Sequence, residues 1–311
     1  MSLKSVKNKI KSIDKTRQVT KAMEAVSAVK MRKSQQNAIG IRPYALSALK
    51  ILRSISGSIE AANHPLTKAR KVEKTLIVLV SADKGLAGSY GAALLKGVYR
   101  FIEEKGMTKD NAALIAIGKR GYEHFLKRGW TIVNHFERWS DQVSFDTVRP
   151  LAEEIKALYM KGEYDEILIV YTNFISTLKQ VVYSRKLLPV TFESVEEVVR
   201  GITPERGKFA EIGRDIDAAP VKEYTFEPEA GEILSELIPI LFNIQIYHSV
   251  LEANASEHSA RMIAMKNASD NAKDISRGLK LYFNKVRQAA ITREVSEIVG
   301  GMESMKTVIS H

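Results

Sequence analysis

The sequence predicts an α/β protein: a long antiparallel coiled coil of N- and C-terminal helices on a central domain with a mostly parallel sheet. Three features of the 311 residues point there. No proline follows Pro239, and Leu234, Ile238, Leu241, His248, Leu251, Ala255, Met262, Met265, Ala272, Leu279, Phe283, Val286 and Ala290 recur every three to four positions. That spacing is a coiled-coil seam. The first forty residues carry a repeat of the same kind. Between the two, short apolar runs alternate with helical segments.

Taken in order, residues 1–57 read as the first shaft helix, with no glycine before Gly40 and no proline before Pro43. Leu3, Val6, Ile10 and Ile13 keep heptad spacing; Val19, Ala22, Met23, Val26 and Val29 resume it in a shifted phase. Small residues (Ala22, Ala25, Ser27, Ala28) face small counterparts at Ala255, Ser259, Ala260, Ala264, Ala268 and Ala272, so the helices can approach closely. Neither has a core of its own, and pairing is the simplest remedy.

Residues 70–228 form the central domain. Strands are expected at Thr75–Ser81, Ala113–Ile117, Thr131–Asn134 and Glu166–Thr172, with helices near Ser89–Glu104, Lys119–Lys127 and Phe145–Lys161. This alternation implies βαβ units. Leu178–Ser184 leads to a further strand that exits at Lys186–Pro189; 193–220 is a polar surface excursion, and Val221–Phe226 rejoins a sheet edge. Residues 231–301 form the second shaft helix and 302–311 a tail. A helix from Pro239 to Val299 would be on the order of 90 Å long.

Charge is unevenly placed. Residues 1–33 hold +8 of the net +11, so the partner of this arm should be acidic. Absence of cysteine excludes a disulfide framework, a finger-type zinc site and a thiol nucleophile. No apolar leader is present, and nothing in the sequence indicates export.

Catalytic motifs are missing. Gly85, Gly88 and Gly91 follow the first strand but lack Gly-x-Gly-x-x-Gly spacing, and Gly118-Lys119 supplies no acid for a ribose hydroxyl. Tight strand-to-helix packing explains these glycines better than a nucleotide. No histidine pair has metal-ligand spacing; His248 and His258 read as polar seam residues that fix register. The expectation is no cofactor, no metal and no catalytic residue. A basic coiled-coil nucleic-acid-binding protein is the alternative, although residues 1–43 contain no aromatic for base stacking.

Lys21–Lys33 (KAMEAVSAVKMRK), Ser256–Asn271 (SEHSARMIAMKNASDN) and Tyr282–Gly301 (YFNKVRQAAITREVSEIVGG) resemble the terminal signatures of the gamma-subunit family of F-type ATP synthases. Ser81–Tyr90 (SADKGLAGSY) and Lys186–Pro189 resemble its central motifs, although Ala87 stands where the family often has cysteine. The resemblance implies a coiled coil on a Rossmann-like α/β domain and the role of a central rotor stalk without a catalytic site. Its implied partners are the alpha and beta subunits of the alpha3-beta3 ring, the epsilon subunit and the membrane c-ring. It further implies a peripheral position on the cytoplasmic face of a bacterial inner membrane, in a complex that couples ion transport to ATP synthesis. By motif position, Met23, Arg261, Arg287, Gln288, Thr292 and Glu297 are implied in coupling, with Arg287 and Gln288 against a beta-subunit loop.

Overall fold

A computed structural model describes residues 3–55, 64–139, 143–191 and 230–309. They divide into two compact units, one of Met1–Val26 with Met262–His311 and one of Ser27–Arg261.

In chain order the elements are α1 (Leu3–Gly40), α2 (Arg42–Ile55), β1 (Thr75–Val80), α3 (Tyr90–Glu104), β2 (Ala112–Ile117), α4 (Lys119–Leu126), β3 (Ile132–Phe136), α5 (Phe145–Met160), β4 (Glu166–Phe174), β5 (Gln180–Leu188) and α6 (Ala230–Ile309). The strands form one sheet in the order β3-β2-β1-β4-β5. β1, β2, β3 and β4 run parallel; β5 pairs antiparallel with β4 at the edge, opposing Tyr171 to Tyr183. The expected mostly parallel sheet is therefore present. The strand expected in the Leu178–Pro189 stretch runs from Gln180 to Leu188, nine residues. The 193–220 excursion and the Val221–Phe226 strand lie outside the described residues.

β1 and β2 are buried at every position, as central parallel strands covered on both faces should be. Alternation sends Ile77 and Leu79 to one face, where Leu94, Val98 and Ile102 of α3 and Phe125 of α4 cover them. Leu76, Val78 and Val80 face the other way, onto Val148, Leu151 and Ile155 of α5 and Leu241, Phe242 and Ile246 of α6. Helix α5 starts with a capping box in which Ser144 and Thr147 satisfy each other's backbone amides.

α6 starts at Ala230, beside the expected beginning, keeps Pro239 in its interior and runs on to Ile309, carrying most of the expected tail in helix. A proline inside a helix costs about 3 kcal/mol. Around Pro239, Leu234, Ile238, Leu241 and Phe242 are essentially fully buried, and each such side chain stabilises by roughly 1.5–3 kcal/mol. Burial outweighs the lost hydrogen bond, so the helix continues. One stretch of α6 is apolar enough to cross a membrane by length and composition, but 61% of that window is buried inside the protein.

The expected phase shift in α1 is not there. Val6, Thr20, Ser27, Met31 and Ala38 are buried and Ile10 and Ile13 half-buried, all in one unbroken heptad phase. Val19, Val26 and Val29 point to solvent, at 54–65% exposure. Thr20 can occupy a buried position because its hydroxyl donates to the carbonyls of Thr16 and Arg17, both at 3.0 Å. The sequence reading followed the valines, whereas packing selected the small hydroxyl residues.

Candidate functional site

In the helical unit, α1 and α6 run antiparallel. Asp14 meets Ser276 and Lys280, while a groove farther along is lined by Arg17, Lys21 and Ala22 against Ser269 and Lys273. That groove has a volume of about 500 Å³ and a neighbouring one, reaching Arg277 and Asn284, about 330 Å³. Arg17, Lys21, Lys273, Arg277 and Lys280 outnumber Asp14 and Asp270 along them, which gives this surface a positive potential. The Asp14 carboxyl is held below its usual range by the Ser276 hydroxyl and by Lys280.

The α6 seam continues through Met265, Ser269, Ala272 and Ser276, which are buried, to the half-buried Leu279, Phe283, Val286 and Ala290. Arg287, Gln288, Thr292 and Glu297 are all exposed. At 3.6 residues per turn, Gln288 and Thr292 lie one turn apart on one side, and Glu297 lies on the opposite side about 180° away. Glu297 faces Arg293 at 3.6 Å. Met23 is half-buried. The sequence reading missed a second stripe. Leu281, Ile291, Val295, Ile298 and Met302 follow three- and four-residue steps and their multiples, yet are 53–68% exposed. Its spacing was visible, but the adjacent Leu279–Ala290 seam absorbed the pattern.

Arg261 has a different setting, in the α/β unit. Its guanidinium pairs with Glu257, donates to the carbonyls of Gly85 at 3.2 Å and Lys84 at 3.3 Å, and contacts His258 Nδ1 at 3.2 Å. Neighbouring α6 residues bond the carboxyl ends of the strands. Ser256 Oγ donates to Thr172 O at 3.0 Å, the Phe174 amide donates to Glu252 at 2.9 Å, and Ser259 Oγ donates to Thr177 O at 2.9 Å. Tyr90 Oη donates to Ala253 O at 3.4 Å. Order reverses between β1 and β4, and open α/β sheets bind ligands in the crevice at such a point. Here α6 lies along the carboxyl ends of both strands. One helical turn apart beside this anchor, His248 is buried and Glu252 half-buried. Burial, helped by Arg185, keeps His248 neutral with its pKa down to about 3, and burial pushes the Glu252 carboxyl up to about 7.

The glycine loop corrects a sequence expectation. A Cβ on Gly91 would meet nothing within 4 Å, and one on Gly85 only Arg120 at 3.5 Å, so close packing does not explain either. Gly88 adopts a φ of 58°, a conformation glycine tolerates. Close packing falls instead at Gly97, Gly118 and Gly121. Among the described residues, no group of three or more His, Cys, Asp or Glu is placed to hold a metal.

Residues 2–305 match the ATP synthase family profile. The chain is 39% identical over 308 residues to the ATP synthase gamma chain of Cytophaga hutchinsonii, covering 98% of this chain and 99% of that one. It is 39% identical over 305 residues to the gamma chain of Geotalea daltonii, with the same coverage. Among solved structures, it resembles a chain of the Euglena gracilis mitochondrial ATP synthase (OSCP/F1/c-ring, rotational state 3), with a TM-score of 0.61 and 17% identity over 97% of this chain and 94% of that one. A chain from the central stalk and c-ring of the Tetrahymena thermophila mitochondrial ATP synthase gives a TM-score of 0.57 and 21% identity, over 81% of this chain and 99% of that one. These structural likenesses establish the fold. Nothing in the similarities supports the nucleic-acid-binding alternative.

Proposed function

The chain belongs to the ATP synthase gamma-chain family, and from that premise we propose that it is the central rotor stalk of an F-type ATP synthase. One observation carries the reading: relatives named as gamma chains align with it from end to end. It transmits torque between a membrane c-ring driven by ion flow and an alpha3-beta3 ring that makes or hydrolyses ATP, with epsilon beside its α/β unit. The complex sits on the cytoplasmic face of a bacterial inner membrane, and this chain has no catalytic site of its own.

The described geometry supports that assignment. A shaft must be stiff, and α6 is a single helix of 80 residues whose only interior proline lies in its first three turns. It must also be gripped, and the 252–261 segment is bonded to the end of β4 and to the glycine loop that follows β1. Finally, it must touch its partners without sticking. The exposed cations along the helical unit suit acidic loops whose contacts form and break at each step.

Within this reading the six coupling residues take two roles. Arg287, Gln288, Thr292 and Glu297 are surface contacts or neighbours of contacts. Arg261 is a positioning residue that acts through the anchor, and Met23 helps set the spacing of the helix pair. Coupling here means that the shaft biases its partner's sites by differential contact. Native mass spectrometry of the complex recovered through a tagged copy of this chain tests the assignment. Recovery with three alpha, three beta and one epsilon subunit is expected, and recovery alone or with nucleic acid would overturn it.

A further inference from the structure

We propose that Arg185 of β5 and Gln245 and His248 of α6 form an internal binding site for ordered water, which bridges the long helix to the edge strand of the sheet. Register brings the three together. Across the β4–β5 pairing Arg185 stands opposite Ile169 and Tyr183 opposite Tyr171, and Ile169 and Tyr171 belong to the core that α6 covers. Arg185 and Tyr183 therefore project from that same face of the sheet, towards α6. Gln245, His248, Ser249 and Glu252 recur at three- and four-residue steps and share one face of the helix. The two faces meet at Arg185, whose charge acts on both His248 and Glu252.

Arg185, Gln245 and His248 are each at most 5% exposed, and six of their polar atoms have no hydrogen-bond partner among the described residues. These are Nε and Nη1 of Arg185, the oxygen and nitrogen of the Gln245 side-chain amide, and both ring nitrogens of His248. The groups around them are engaged or out of reach. Glu252 Oε1 is 3.6 Å from His248 Nε2, too far for a hydrogen bond, and Glu252 Oε2 accepts from the Phe174 amide at 2.9 Å. Ser249 Oγ donates to the Gln245 carbonyl at 2.9 Å. The Tyr171 and Tyr183 rings lie 5.9 and 5.7 Å from the Arg185 guanidinium, a cation–π distance that supplies no lone pair to its N–H groups. A buried polar atom left unpaired costs more than an ordinary hydrogen bond contributes. Three such side chains in one place are explained by a ligand that meets them together.

Their chemistry selects the ligand. Arg185 supplies only donors, Gln245 supplies donors and an acceptor, and burial keeps His248 neutral, so its ring supplies one of each. The ligand must therefore both donate and accept, as water does through about two to four bonds. An anion would leave the Gln245 oxygen and the unprotonated His248 nitrogen unmet, and a cation would be repelled by Arg185. The joint between α6 and β5 is then carried by water, whereas the joint to the glycine loop, through Arg261, is direct. This site is independent of the stalk reading and does not follow from it.

The test is a crystal structure of the full-length chain grown in bromide, at a resolution that shows ordered solvent. Water peaks within hydrogen-bond distance of Arg185, Gln245 and His248, carrying no anomalous signal, are expected. A bromide peak there would overturn the proposal, and so would direct pairing of these side chains with protein groups and no solvent between them. Denaturant unfolding at pH 6, where the folded chain keeps most of the Glu252 proton, supplies a second arm. Arg185→Met, Gln245→Met and His248→Phe should each lower the unfolding midpoint, because each leaves the water short of a partner. Arg185→Met/Gln245→Met/His248→Phe removes every group that needs the water, and its midpoint should lie above the lowest of the three. A triple-variant midpoint below every single one would overturn the shared site.

Discussion

The Ser276 hydroxyl of α6 donates to the Asp14 carboxylate of α1 at 2.8 Å, across a sequence separation of 262 residues, and Lys280 Nζ approaches the other oxygen at 3.2 Å. This polar link lies on a seam whose other members are largely apolar, so it fixes register as well as contact. Asp14→Ala should loosen the helix pair without unfolding the α/β unit, seen as faster amide exchange in residues 3–26 and 270–290. Because the folded Asp14 carboxyl titrates below its ordinary range, its contribution is present above that range and is lost as pH falls through the folded value. The exchange difference between wild type and variant should therefore shrink in acid.

Arg261 is the most consequential single side chain of the anchor. Replacing it with alanine leaves Glu257, only 2% exposed, as a buried carboxylate without its guanidinium, and frees two carbonyls of the glycine loop. Breaking one side of such a pair typically costs about 3–5 kcal/mol. Denaturant unfolding of Arg261→Ala should show a loss of that order. Adding Glu257→Gln should recover part of it, because the buried charge is then gone.

The glycines give a paired prediction of opposite sign. Gly118 has a φ of 92°, and a Cβ there would stand 2.0 Å from Ser81 O, so Gly118→Ala must strain or move the β2–α4 junction. A loss on the order of 3 kcal/mol or more is expected in thermal or denaturant unfolding. Gly91→Ala meets open space in helix α3 and should be neutral or stabilising by up to about 1 kcal/mol.

Glu252 gives a pH signature. Its folded pKa of about 7 lies above the ordinary 4.5, so between those values the folded chain keeps a proton that the unfolded chain releases. Stability from this group is therefore greatest below the ordinary value and falls as pH rises towards 7, by on the order of 3 kcal/mol. His248 acts oppositely, since its pKa is depressed from 6.5 to about 3 and stability falls as pH drops below 6.5. Unfolding free energies of wild type and Glu252→Gln, compared from pH 5 to pH 8, should diverge as pH rises, with the variant gaining. A constant difference would remove Glu252 from this account.

Most of the fold could be read from the chain because its signals were local and periodic. TLIVLV and EILIVYT are unbroken apolar runs, and β1 and β4 occupy them. Val19, Val26 and Val29 were misplaced because periodicity counts apolarity, whereas a close helix pair selects small volume and satisfied hydroxyls, as at Thr20 and Ser27. Arg261 could be singled out by motif, but its setting depends on carbonyls at Lys84 and Gly85, far away in sequence.

Rotation of a probe fixed to this chain, in surface-held complexes containing its alpha and beta partners and supplied with ATP, tests the central claim most directly. The stalk reading predicts stepwise turning of the probe relative to the ring during hydrolysis. Replacing Arg287 and Gln288 with alanine should slow or uncouple it about fivefold or more while the isolated chain stays folded. Steady hydrolysis with a stationary probe in wild-type complexes would contradict that reading.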